Sequence, residues 1–151
     1  MGPARPRLQR IQLEIEPMNS SDRDRLLTWG WGLYAVSFVL PVGNIWGFEA
    51  FWACFEQAMD ASWDSDWMFM LAASLSNVVM MLSPLLVRCV NRRLLGALLI
   101  LGGLHNSRFI LSDGANVHYL LNLFPAYYAW WLSFFVTGLA LWKQPAPGRG
   151  N

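Results

Sequence analysis

The sequence predicts an all-α, polytopic membrane protein with four transmembrane helices and one short amphipathic helix at the membrane surface. Three observations point there. Of 151 residues, 55% are hydrophobic and 14% charged, against about 25% charged in an ordinary soluble domain. The charges fall between long apolar blocks, each close to the roughly 20 residues that a helix needs to cross about 30 Å of hydrocarbon. Nine Trp and nine Phe accompany the blocks, several at block ends, where amphipathic rings favour the headgroup region.

Residues 1–25 form a polar N-terminal tail with Arg5, Arg7, Arg10, Arg23 and Arg25. It is too polar for a signal peptide, and no small-residue cleavage site follows the first apolar block, so that block is expected to remain as an uncleaved anchor. Within the tail Ile11, Leu13 and Ile15 alternate with polar residues up to Pro17, a pattern that can add a strand to a partner's sheet edge. An extended tail is the commoner outcome, because so short a strand is not stable alone.

One membrane domain, 26–142, follows. Its first span is expected over 26–46, kinked or stopped near Pro41, with Gly43 and Gly47 at a spacing that permits close helix approach. Residues 47–60 read as the surface helix: Phe48, Phe51, Trp52, Phe55 and Met59 share one face, and Glu49, Glu56 and Asp60 another. The second span, 67–87, carries Asn77 near its middle, and Ala72, Ser76 and Ser83 mark a closely packed side. Pro84 frees the carbonyl of Met80, which another group must satisfy. Arg88, Asn91, Arg92 and Arg93 then make a tight basic turn, so the second and third spans are antiparallel neighbours. In the third span, 94–111, Gly96, Gly103 and Ser107 share a face. A short loop, 112–117, leads to the aromatic fourth span, 118–142, which Pro125 either kinks or begins. The tail 143–151 is polar, rich in Pro and Gly, and expected to be disordered.

Ten of the eleven basic residues lie in the two tails and the 88–93 turn, whereas residues 47–66 hold five acids and no base. By the positive-inside rule both termini are cytoplasmic and the surface helix lies outside. Arg108, about one turn inside the outer boundary, is the exception; it can snorkel outward or pair with Asp113. The basic residues form no stripe with interleaved aromatics, which argues against nucleic-acid binding.

Polar groups in hydrocarbon must find partners and often mark sites. Asn77, His105, Asn106, Arg108 and Asn122 are therefore the candidate intramembrane cluster, with Asn77 and His105 near mid-depth. A hydrogen-bond network that glues helices together is the commoner use of such groups. His105 is also a potential ligand for a haem, a pigment or a metal ion, but a second haem ligand would have to be His118, several residues shallower. The aromatic fourth span can line a quinone or pigment groove; packing is the more frequent role. No cofactor and no metal site is predicted. Cys54 and Cys89 fall on opposite sides of the membrane, which excludes an internal disulfide, and there is no CxxC pair. HExxH, GxSxG, the P-loop and the dinucleotide fingerprint are all missing, and no catalytic residue is assigned. The chain reads as a non-enzyme.

Tyr34, Ser37 and Pro41, then Gly47-Phe48-Glu49-Ala50-Phe51, Asn77, the Arg-Arg turn, and Tyr128, Trp131 and Ser133 together resemble a diffuse set of uncharacterised small bacterial four-helix membrane proteins. The likeness covers about residues 30–142. It implies a four-span protein of the bacterial inner membrane and no activity.

The expected function is that of an accessory or assembly subunit docking on a larger membrane protein complex, with lipids and other subunits as partners. Its candidate contacts are Tyr127, Trp130 and Trp131 on the fourth span, the acidic residues Glu49, Glu56 and Asp60, and the segment Ile11, Leu13 and Ile15. Transport or ligand binding through the polar cluster is one alternative. An immunity-type protein that blocks a pore-forming toxin is another.

Overall fold

A computed structural model describes residues 19–42, 44–60, 65–108 and 125–143. The expectations for Ile11, Leu13, Ile15, Gly43, Asn122, His118, the loop 112–117 and the tail 144–151 lie outside the described residues. Within them the chain is helical: α1 (Ser20–Val39), α2 (Gly47–Asp60), α3 (Ser65–Cys89), α4 (Arg92–Asn106) and α5 (Pro125–Trp142). A small antiparallel hairpin, β1 (Pro41–Val42) and β2 (Ile45–Trp46), separates α1 from α2, with Pro41 opposite Trp46 and Val42 opposite Ile45. The all-α class is as expected.

One helix, over Trp67–Cys89, is long and apolar enough to cross a membrane by length and composition. Four such helices are not found among the described residues, and each shortfall has a physical reason. At 1.5 Å per residue α4 covers only about 22 Å. The tyrosines and tryptophans of α5 lower its hydropathy, and α1 begins with a charged turn. The first block is also not one helix. Pro41 offers no N–H to continue the ladder, and α1 closes at Val39 with the Leu40 N–H on the Val36 carbonyl. The chain then folds back, and the Gly47 N–H donates to the Leu40 carbonyl at 3.0 Å. Gly47 does make a close approach, but to the end of α1: a Cβ there would strike the Ser37 carbonyl.

α5 lies between α1 and α4; α3 packs on α4, and α2 bridges α3 and α1. Small residues let the backbones meet along α5. A Cβ on Gly30 of α1 would collide with Thr137 Oγ1, and one on Gly96 of α4 would lie 2.7 Å from the Gly138 carbonyl oxygen. Thr137 and Gly138 are thus pressed from both sides. The expected small-residue face of α4 is borne out at Gly96 and at Gly103, which abuts Phe134 and Phe135. On α3 the buried row is Ala73, Asn77, Met80 and Ser83, with Ala72 only half-buried at its edge.

Pro84 leaves α3 continuous. The carbonyl it frees, on Met80, accepts from Ser83 Oγ at 2.8 Å, and Ser83 Oγ in turn accepts from Trp31 Nε1 at 2.9 Å. The repair of the proline gap therefore also ties α1 to α3. At the α3–α4 turn Asn91 caps α4 by accepting from the N–H groups of Arg93 and Leu94, and Arg92 Nε donates to the Val87 carbonyl at 3.2 Å.

The interior is mixed: Leu27, Met80, Leu95, Leu99, Phe134 and Leu141 form an apolar core beside small polar side chains, and many large apolar side chains face outward. Its buried set includes Ser37, Ser74, Asn77, Ser83, Asn106, Ser133 and Thr137, while Leu85 (63% exposed), Leu101 (60%), Val36, Leu98, Leu132 and Leu139 face outward. Only 28% of the apolar stretch of α3 is buried inside the bundle.

Gly96→Leu and Gly138→Leu should each lower stability by about 1–3 kcal/mol through overpacking. Gly32→Ala, with open space around it, should be neutral or slightly stabilising. Thermal unfolding in detergent distinguishes them.

Candidate functional site

The most connected polar group is Asn77, on the inward face of α3. Its Oδ1 accepts from Trp130 Nε1 at 2.6 Å, its Nδ2 donates to the Ala73 carbonyl at 3.1 Å, and its own carbonyl accepts from the Tyr34 hydroxyl at 3.1 Å. One carboxamide thus joins α1, α3 and α5. The Ala73 carbonyl also accepts from Ser76 Oγ at 2.7 Å, and Ser76 Oγ accepts from Asn106 Nδ2 at 3.0 Å. The Asn106 carbonyl accepts from the Tyr127 hydroxyl at 3.0 Å. Asn77 and Asn106 therefore belong to a single network across four helices. Among the described residues two buried side-chain oxygens, Asn106 Oδ1 and Thr137 Oγ1, have no partner.

His105 and Arg108 are not part of that network. The His105 ring packs on Phe69 at 4.7 Å between centroids, and its Nε2–H donates to the Phe69 carbonyl at 3.3 Å. The Arg108 guanidinium lies over the same phenyl ring, 4.9 Å from its centre. The mid-depth position expected for His105 is corrected. It is the penultimate residue of α4 and meets Phe69 near the start of α3, so it sits toward the end of the bundle that carries the hairpin and α2. Among the described residues no three His, Cys, Asp or Glu side chains cluster as metal ligands.

The aromatic candidates on α5 turn inward. Trp130 serves Asn77, Tyr127 serves Asn106, and Trp131 Nε1 donates to the Gly103 carbonyl at 3.1 Å and to Ser107 Oγ at 2.9 Å. The acids divide. Glu49 accepts from the Trp46 N–H at 2.7 Å, closing the start of α2 as the acidic partner of a capping box does. Glu56 accepts from Trp52 Nε1 at 2.6 Å, and Asp60 is exposed.

α2 has three faces. Gly47, Ala50, Phe51, Cys54 and Ala58 lean on the bundle, with Ser74 Oγ donating to the Cys54 carbonyl at 3.3 Å. Phe48, Trp52, Phe55 and Met59 are exposed on a second side, and the acids occupy the third. Phe51 departs from the face expected of it and packs on Phe38 at 5.5 Å. Beneath α2 lies a half-open cleft of about 240 Å³, walled by Ser37, Phe38, Val42, Gly47, Ala50, Phe51, Cys54, Asn77, Ala126, Tyr127 and Trp130. Burial pushes the Cys54 thiol up.

Sequence reasoning singled out Asn77 and Asn106 but not the partners that fix them, Tyr34 and Ser76, nor the link between Trp31 and Ser83. Gly30, Tyr34 and Ser37 recur at helical spacing on α1, and that row was the available signal. Comparison of the chain with protein-family models, characterised proteins and solved structures finds no match.

Asn77→Ala and Trp130→Phe should be non-additive, with a coupling of about 0.6–2 kcal/mol in a double-mutant cycle. The cycle of Asn77→Ala with His105→Ala should show none. Maleimide should modify Cys89, which is exposed, well before Cys54, whose thiolate is suppressed by burial; mass spectrometry of a timed reaction reads the order.

Proposed function

We propose that this chain is a non-catalytic integral membrane protein that serves as an accessory or assembly subunit of a larger membrane complex. In this account α1, α3, α4 and α5 span the bilayer, α2 lies at the outer surface, and both termini are cytoplasmic, as in the small bacterial four-helix membrane proteins that the sequence resembles. The observation that carries it is the apolar outer surface of the bundle. Leu, Val and Met side chains are exposed on α1, α3, α4 and α5, while small Ser, Thr and Asn side chains are buried beside an apolar core, a distribution suited to a hydrocarbon solvent. The three faces of α2 suit an interfacial position against the bundle: small residues inward, large apolar residues into lipid, acids toward water.

A docking role is favoured over transport because most of the interior polar groups, Asn106 Oδ1 and Thr137 Oγ1 apart, are used on one another. Asn77 and Asn106 donate within the bundle, while His105 and Arg108 stand apart on Phe69. Docking through α5 has less support than the sequence suggested, since Tyr127, Trp130 and Trp131 commit their polar ends inward. Weight moves to the acidic side of α2, where Glu56 and Asp60 are exposed.

Extraction of native membranes in mild detergent, followed by native mass and identification of co-purifying chains, should yield an assembly larger than this chain. Charge reversal at Glu56 and Asp60 should release the partner; Glu49 is spared because it caps α2. A particle of this chain alone would overturn the subunit role.

A further inference from the structure

We propose that the cleft beneath α2 holds one acyl chain of a phospholipid with an amine headgroup. The inference rests on the membrane placement proposed above and adds a bound lipid to it. The hydroxyl and indole donors in the wall are already spent. Ser37 Oγ donates to the Tyr34 carbonyl, Tyr127 to Asn106 and Trp130 to Asn77. A polar ligand entering here would lose its own hydrogen bonds to water for little return. Asn77 in the same wall is engaged by Trp130 and Ala73, and apart from it and Cys54 the remaining wall is apolar, with Phe38, Ala50, Phe51 and Ala126 among its members. At about 240 Å³ the cleft is smaller than the roughly 300–1,000 Å³ taken by drug-sized ligands, yet larger than an engineered cavity of about 150 Å³ that binds benzene. That leaves room for a segment of one acyl chain.

Phe51 lines both the cleft and a shallow groove on the outer side of α2, whose other walls include Ile45, Phe48 and Trp52. Glu49 and Glu56 border that groove. Each meets a neutral N–H donor, so neither charge is cancelled. The two carboxylates, seven residues and so about 10 Å apart along α2, make the groove negative, which favours the ammonium of phosphatidylethanolamine over an anionic headgroup.

The test uses the full chain in vesicles containing phosphatidylethanolamine with a diazirine midway along one acyl chain, irradiated and mapped by peptide mass spectrometry. Adducts should appear on the cleft walls, at Phe51, Cys54 or Ala126, as well as on the outer belt at Leu85 and Leu101. Ala50→Trp, and independently Ala126→Phe from a different helix, should abolish the cleft adducts and leave the belt adducts unchanged. With the same photoreactive chain on phosphatidylglycerol the cleft adducts should fall. Belt adducts without cleft adducts in the unaltered protein would overturn the lipid site while leaving the membrane placement standing. No adducts at either place would overturn the membrane placement itself. Cleft adducts that persist in both filled variants would also refute the site, and equal labelling by the two lipids would refute the headgroup preference.

Discussion

A carboxamide placed among apolar helices must be satisfied by the protein, and at Asn77 that requirement fixes the register of three helices. Trp130 of α5 and Tyr34 of α1 both reach it, and both bonds exist only if the two helices hold their present height along α3. The same rule governs the Pro84 gap, where Ser83 serves the Met80 carbonyl and receives Trp31. Polar contacts of this kind are individually modest, about 0.6–2 kcal/mol. Their effect is to select one arrangement among many that would bury similar apolar area.

Packing density comes from a different source. Gly30 and Gly96 bring the backbones of α1 and α4 onto adjacent residues of α5, Thr137 and Gly138, so α5 can be central despite its large aromatic side chains. The large aromatic residues lie in the N-terminal half of α5, where Tyr127 and Trp130 wall the cleft under α2 while Trp131 and Phe134 pack toward α4.

The helical class, the basic turn, the amphipathic α2 and the importance of Asn77 were legible in the sequence, because each is a local pattern: apolar period, charge run, isolated polar residue; the third face of α2 and the capping role of Glu49 were not. The end of α1 was not. Residues 40–46 are apolar enough to extend a helix, and Gly47 fits a helix-packing motif, but its true contact is the Ser37 carbonyl across a reversal of the chain. The roles of Tyr127, Trp130 and Trp131 were likewise hidden. An aromatic row on a helix has the same spacing whether its N–H and O–H groups face lipid or an asparagine on a neighbour. His105 was misplaced in depth because span limits drawn from hydropathy put its helix too far along the chain; the helix runs Arg92–Asn106.

The central claim, that hydrocarbon surrounds four helices whose outer faces are apolar, is tested most directly by spin labels placed singly at Val36, Leu85, Leu101 and Leu139 in proteoliposomes. The accessibility of each to dissolved oxygen and to a water-soluble nickel chelate would be compared. All four should be relaxed by oxygen and shielded from the chelate. Shielding at Leu85 alone, with the other three open to the chelate, would reduce the protein to a single span and contradict the account.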